Sequence, residues 1–208
     1  RKIIFLSGII GLIVSCTKLD EDVYDQVLES SFVPSEKDVP AIIAPAYTVM
    51  RDMVAGWQGY FDLQEEPSDI IVTPVRPNGW YDGGTYQRMH YHEWNSIQWQ
   101  PTNLWGQCYS GINNINRILY DLEPIPIENG KESLIAELKT ARAYYYSLLL
   151  DNHGNVPIVT DFKDGSLPQQ STRQQVYDFV VKELLDNIPL LSEKADNSTY
   201  GRFNKWAA

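Results

Sequence analysis

Cysteine is nearly absent from this chain: Cys16 and Cys108 are the two in 208 residues. A disulfide framework of the kind that staples small secreted domains is excluded. Positive charge is scarce as well, with 17 Lys and Arg against 27 Asp and Glu and a formal net charge of −10. Nucleic-acid binding needs a surplus of Lys and Arg to neutralise phosphates, so that class is excluded. Docking onto anionic lipid through a basic patch is excluded for the same reason. The apolar run from Ile3 to Val14 is too short for a bilayer span, which needs roughly 20 residues. There is no G-x-S-x-G elbow, no phosphate-binding P-loop and no dinucleotide fingerprint.

What surrounds Cys16 is informative. Arg1 and Lys2 precede the apolar run, Ile13-Val14-Ser15-Cys16 fits the lipobox pattern of a bacterial lipoprotein signal, and Asp20, Glu21 and Asp22 follow. Residues 1–15 read as a signal peptide removed on export, Cys16 as a thiol carrying a diacylglycerol anchor, and 16–35 as an acidic tether. About 190 residues remain, enough for one domain with a substantial core, which is assigned to 36–208. With 43% apolar and 21% charged residues the chain is globular rather than disordered. Cys108 falls on an apolar stripe and reads as a buried, inert thiol.

Four amphipathic helices are expected. In the first, about 36–55, Val39, Ile42, Ile43, Ala46, Met50 and Met53 form one stripe, and Pro45 predicts a kink or a broken first half. The second, about 102–122, carries Leu104, Cys108, Ile112, Ile115, Leu119 and Leu122, with Pro124 beyond its end. The third, about 132–152, carries Leu134, Leu138, Ala141, Tyr145, Leu148 and Leu149, and Gly154 suits a left-handed residue past its end. The fourth, about 173–191, has Ser171 and Gln174 as a capping box and Val176, Val180, Leu184 and Ile188 at steps of four. A fifth is expected to start near Phe203. Residues 57–100 break the pattern: Gly and Pro alternate with aromatics, predicting a long, ordered, irregular excursion.

Six sequence blocks together resemble the SusD/RagB family of Bacteroidetes outer-membrane lipoproteins. Trp105 to Asn116 resembles a W-x3-Y-x2-I-x2-(I/C)-N helix, and Glu137 to Tyr146 an E-x3-A-R-A-x-x-Y helix. Gly154-Asn155-Val156-Pro157-Ile158 is close to F-G-x-V-P-L, with His153 in place of the usual aromatic. Arg173 with Val176-Tyr177-Asp178, then Ile188 to Leu191, then Gly201 to Ala208, resemble the remaining blocks in order. The resemblance implies a mainly α protein of tetratricopeptide-like antiparallel helix pairs with long, irregular, aromatic-rich loops. It implies a surface lipoprotein that captures oligosaccharide or polysaccharide and hands it to a SusC-like TonB-dependent transporter. In such lipoproteins an acidic stretch after the lipidated Cys resembles a surface-export signal. Members are about twice this long, so an N-terminal portion ending inside a helix is expected.

The segment Gly79 to Trp94 resembles a motif of SusD-like proteins in polysaccharide-utilisation systems. Its chemistry suits sugar: a pyranose stacks its C–H face on a flat ring and presents hydroxyls to directional partners. Trp80, Tyr81 and Trp94 supply rings, Arg88 a forked donor, Asp82 and His90 polar partners, and Trp99 extends the platform. The competing reading is a packed structural loop with Gly83-Gly84 as its turn. His90, His92 and Glu93 do not match a common zinc spacing; on a strand His90 and His92 would share a face, which permits metal without requiring it. Glu65, Glu66 and Asp69 could supply a glycosidase carboxylate pair, but a solvated acidic loop is the plainer reading. No cofactor or metal is expected, and no catalysis. The rival functions are a peptide receptor of the RagB kind, a surface glycosidase and a structural lid.

Overall fold

The computed structural model describes residues 34–55, 59–75, 78, 81–95, 97–197 and 199–208. The expected signal peptide, Cys16 and nearly all of the tether lie outside the described residues. Six α-helices are present among the described residues: α1 (Val39–Ala55), α2 (Tyr60–Glu65), α3 (Thr85–His90), α4 (Trp99–Leu122), α5 (Lys131–Asn152) and α6 (Arg173–Asn187). The long helices pack in sequence order, α1 on α4, α4 on α5 and α5 on α6. The short connection 123–130 makes α4 and α5 an antiparallel pair. This mainly α arrangement of tetratricopeptide-like pairs is the expected fold class. Among the described residues no helix is long and apolar enough to cross a membrane.

Helix α5 is the centre. A helix covered on one side keeps one apolar stripe, whereas one covered on both sides is buried all round. Leu134, Leu138, Ala141, Tyr145, Leu148 and Leu149 are buried, and so are Ala136, Glu137, Thr140, Arg142, Ala143 and Tyr146 between them. The Tyr145 ring crosses Gly111 of α4 so closely that a Cβ there would lie 2.3 Å from Cζ. Its hydroxyl donates to the Ala46 carbonyl of α1 at 2.9 Å. One tyrosine thus locks three helices, and glycine is required opposite it for lack of space rather than for its backbone freedom. Cys108 lies in the same core with its Sγ 3.7 Å from Met53 Sδ, and burial pushes its thiol up to about 12. It is unreactive at neutral pH.

Two arginines are spent on structure, Arg142 buried and Arg202 exposed. Arg142 of α5 donates to Glu183 of α6, to Asn116 Oδ1 of α4 at 2.7 Å and to the Thr160 carbonyl at 3.2 Å. Arg202 binds Glu137 through two parallel contacts of 2.8 and 2.5 Å. Tyr47 donates to the same carboxylate, so α1 and the residues near Arg202 are held on α5. Burial, then the Glu137 charge, pushes the Tyr47 phenol up from its ordinary value.

Several local expectations are corrected. Helix α1 runs through Pro45 without the broken first half, because burial of Ile43, Ala46 and Met53 in the core holds both halves. Helix α4 begins at Trp99 instead of about residue 102, since Pro101 sits in its first turn, where no intrahelical N–H is needed. Helix α6 is capped by Thr172 with Gln175, one residue later than expected. The reason is that the Ser171 amide is engaged with the Val156 carbonyl at 3.1 Å, beside a bridge between Pro157 and Gln170. It ends at Asn187, and Ile188–Leu190 continues as a 3-10 turn around Pro189. Near Phe203 there is one turn, in which Asn204 Oδ1 accepts from the Trp206 and Ala207 amides. The stretch 57–100 is less irregular than expected, because it holds α2 and α3.

Candidate functional site

The expected binding segment is built around the short helix α3. Gly83 and Gly84 adopt φ of 73° and 80°, the left-handed region that side chains rarely enter. This turn bends the chain so that Asp82 lies under the helix start. One Asp82 carboxylate oxygen accepts from the Gly84 amide at 2.9 Å and the other from the Tyr86 amide at 2.8 Å. Asp82 is buried, two residues before the N-cap Gly84, and satisfies amides at the start of α3 from outside the cap position. Arg88 reaches back and donates from Nη1 to the Gly83 carbonyl at 2.9 Å. A Cβ on Gly84 would lie 3.3 Å from Arg88 Nη1 and 3.8 Å from the Tyr81 hydroxyl, so both side chains reach over this turn.

The underside of α3 is fixed to the body. Tyr86 and Met89 are buried, and the Tyr86 hydroxyl donates to Asp62 of α2 at 2.7 Å. Buried Gln98, the residue before α4, donates to the Thr85 carbonyl and hydroxyl at 2.9 Å each. His92, at φ 58°, places Nε2 2.7 Å from the Pro67 carbonyl. The module is therefore held from α2, from the loop after it and from α4. Rings carried on such a frame lose little freedom on binding, which preserves affinity.

Exposed aromatics lie on either side of α3 in the chain. Tyr81 is 64% exposed, Tyr91 65%, Trp94 45% and Trp99 38%. Tyr81, Asp82 and Arg88 are brought together around the Gly83–Gly84 turn. His90 is half-buried at the end of α3 with its ring edge-on to Tyr91 at 5.5 Å. Trp94 follows three residues after the Tyr91 cap, and Trp99 opens α4. Trp80 lies outside the described residues. Arg88 Nε and His90 Nδ1 are buried with no hydrogen-bond partner in the protein. The residue overlooked in the sequence is Tyr91. Its signal is an aromatic in the turn directly after a short helix, which an irregular stretch hides because its faces have no period to tell them apart.

The histidine geometry differs from a strand arrangement. His90 belongs to a helix and His92 to the turn after it, with its ring on Pro67, so they share no face. Among the described residues no group of three or more His, Cys, Asp or Glu could hold a metal ion. The carboxylates considered for hydrolysis sit in unlike surroundings. Glu66 is buried and accepts from the Thr73 hydroxyl at 2.5 Å, while Asp69 is exposed.

Comparison with solved structures places this architecture. A laminarin-binding SusD-like protein matches with a TM-score of 0.72 and 24% identity over 83% of this chain and 38% of its own. Surface glycan-binding protein A from Bacteroides uniformis matches with a TM-score of 0.70 and 22% identity, over 83% and 39%. The protein of the same designation from Bacteroides thetaiotaomicron, in complex with laminarihexaose, matches with a TM-score of 0.67 and 20% identity, over 83% and 36%. At these identities the likeness concerns the fold. The chain spans about two fifths of the length of these proteins. No curated protein sequence matches it significantly. The model of a SusD-like family described as "Starch-binding associating with outer membrane" matches residues 19–208, and the chain belongs to that family.

Proposed function

We propose that this protein is a surface glycan-binding lipoprotein that captures oligosaccharides and passes them to a SusC-like TonB-dependent transporter, without catalysis. The observation that carries the reading is the set of exposed rings, Tyr81, Tyr91, Trp94 and Trp99, set around one anchored short helix. Family membership over residues 19–208 supports it. Each ring offers a stacking face for a pyranose, and Arg88 beside Tyr81 offers donors for neighbouring hydroxyls. Asp82 acts indirectly, by holding the turn that positions Tyr81 and Arg88. In this reading residues 1–15 are the signal peptide, Cys16 carries the lipid, 16–35 is the tether and 36–208 is the binding domain's first part.

The test titrates the mature full-length protein with plant, fungal and host polysaccharides, following tryptophan fluorescence and reducing-end release in the same samples. Binding without release is expected. Tyr81→Ala and Trp94→Ala should each weaken binding about tenfold, the loss of roughly 1.4 kcal/mol of stacking and contact. Their helical circular dichroism should match the parent. Release of reducing ends would make the protein a glycosidase. Parent-like binding by both variants would remove the α3 surface as the site, and competition by peptides alone would favour peptide cargo.

A further inference from the structure

At the end of the helix pair where α5 finishes and α6 begins lies an open groove of about 700 Å³. Ser147, Leu150 and Asp151 line it from the last turns of α5, and Arg173, Gln174 and Tyr177 from the first turns of α6. None of these residues belongs to the α3 module. Val176 and Val180 of α6 are buried, while Tyr177 is 53% exposed.

Each of the two charges in this groove is placed against the dipole of its own helix. Asp151 stands one residue from the end of α5, where the helix dipole disfavours a carboxylate, and Arg173 is the first residue of α6, where it disfavours a cation. They form no ion pair with one another, and among the described residues neither side chain makes a hydrogen bond or ion pair. The other described arginines are engaged: Arg51 with Asp52, Arg88 with Gly83, Arg117 with Asp121, Arg142 with Glu183 and Arg202 with Glu137. Arg173 lies over Gly154, its Nη1 3.4 Å from where a Cβ there would stand, and the Asp151 charge adds to burial in raising the Tyr60 phenol, yet the hydrogen-bonding capacity of both groups is left unused. Features that break a local rule are where function is expected. A forked donor, a carboxylate acceptor and a half-exposed ring around one open groove match a pyranose, which has vicinal hydroxyls and an apolar face. Both walls are helices, so an extended peptide finds no strand edge here.

We propose that this groove is a second carbohydrate subsite. It takes a neutral pyranose unit, stacked on Tyr177 and hydrogen-bonded through its hydroxyls to Arg173 and Asp151. The proposal rests on the glycan-binding reading and adds a contact point distant in sequence from the α3 surface. Two weak sites on one chain would favour long polymers over short fragments through effective concentration.

The test uses the mature full-length protein labelled in its tyrosine rings and tryptophan indoles and observed by nuclear magnetic resonance. Neutral gluco-, manno- and xylo-hexaoses, laminarihexaose and maltohexaose among them, are titrated in, with Tyr177→Phe and Trp94→Phe to assign the two signals. With the oligosaccharide that shifts Trp94, the Tyr177 signal should shift too, with its own saturation curve, and should still shift in Trp94→Ala. Arg173→Gln and Asp151→Asn, both surface changes, should each weaken the Tyr177 response at least tenfold and leave the Trp94 response unchanged. A shift at Trp94 with none at Tyr177 overturns the groove and leaves the glycan reading standing. No shift at either signal with any oligosaccharide overturns both.

Discussion

The tight crossing of α4 and α5 makes a signed prediction from two glycines in one helix. Gly106 and Gly111 both lie inside α4, and alanine at an interior helical position gains up to about 1 kcal/mol from reduced chain entropy and better propensity. At Gly106 a new Cβ meets nothing within 4 Å, so Gly106→Ala should realise that gain. At Gly111 the Cβ would lie 2.3, 2.6 and 2.7 Å from Cζ, Cε2 and Cε1 of Tyr145, far inside contact distance. The ring cannot yield locally, because Tyr145 is fully buried and its hydroxyl is bound to Ala46. Overpacking costs about 1–3 kcal/mol, and displacing the hydroxyl costs about 1 more. Set against the helical gain of about 1, Gly111→Ala should destabilise by about 1–3 kcal/mol. In a chain of this size each kcal/mol moves the melting temperature by roughly 2–4 °C. Urea unfolding followed by far-ultraviolet circular dichroism separates the two variants. Equal or greater stability of Gly111→Ala than of the parent would refute the idea that Tyr145 interlocks α1, α4 and α5.

Other consequences follow from named contacts. Glu183→Gln or Arg142→Met leaves one member of the buried pair uncompensated and should cost about 3–5 kcal/mol in urea unfolding, whereas the apolar double replacement should cost clearly less than the sum; strict additivity would show that the pair is not coupled. Asp82→Ala removes both acceptors at the start of α3, so amide exchange at Gly84 and Tyr86 should accelerate and global stability fall by about 1 kcal/mol; unchanged exchange at both amides would contradict that role. Burial holds the His153 imidazole below its ordinary 6.5, so the folded protein takes up that proton less readily than the unfolded chain. The stability tied to neutral His153 is complete above about 6.5 and is lost as pH falls from there through the depressed folded value. His153→Phe keeps a ring against Trp105 and should flatten that part of the pH profile; a profile identical to the parent's would place the titration elsewhere.

Much of the scaffold was legible because helix burial writes itself as a period. Leu104, Cys108, Ile112 and Ile115, or Leu134, Leu138, Ala141 and Tyr145, recur at steps of three and four, and each such set is buried. The apolar stripe of α1 also held, but a break at Pro45 did not, since one missing hydrogen bond is outweighed by burial along the whole helix. Helix ends were less legible. Ser171 and Thr172 are chemically alike, and the choice between them was made by the Val156 carbonyl, distant from the helix in the sequence.

At the candidate site the residue types were legible and their division of labour was not. Trp, Tyr, Arg and Asp in a Gly-rich stretch marked out a surface chemistry, yet Asp82 turned inward onto amides at the start of α3 while Tyr91 turned outward. Composition and periodicity by themselves determined the helical class, the buried stripes and the exclusion of nucleic acid, because these depend on local spacing and total charge. Only the tertiary structure decided that Gly111 must be glycine, which acids Arg142 and Arg202 pair with while Arg173 makes no side-chain hydrogen bond, and which rings around α3 face solvent. Those outcomes depend on what the opposing helix or loop presents across a gap of a few ångströms, and no single segment encodes its partner.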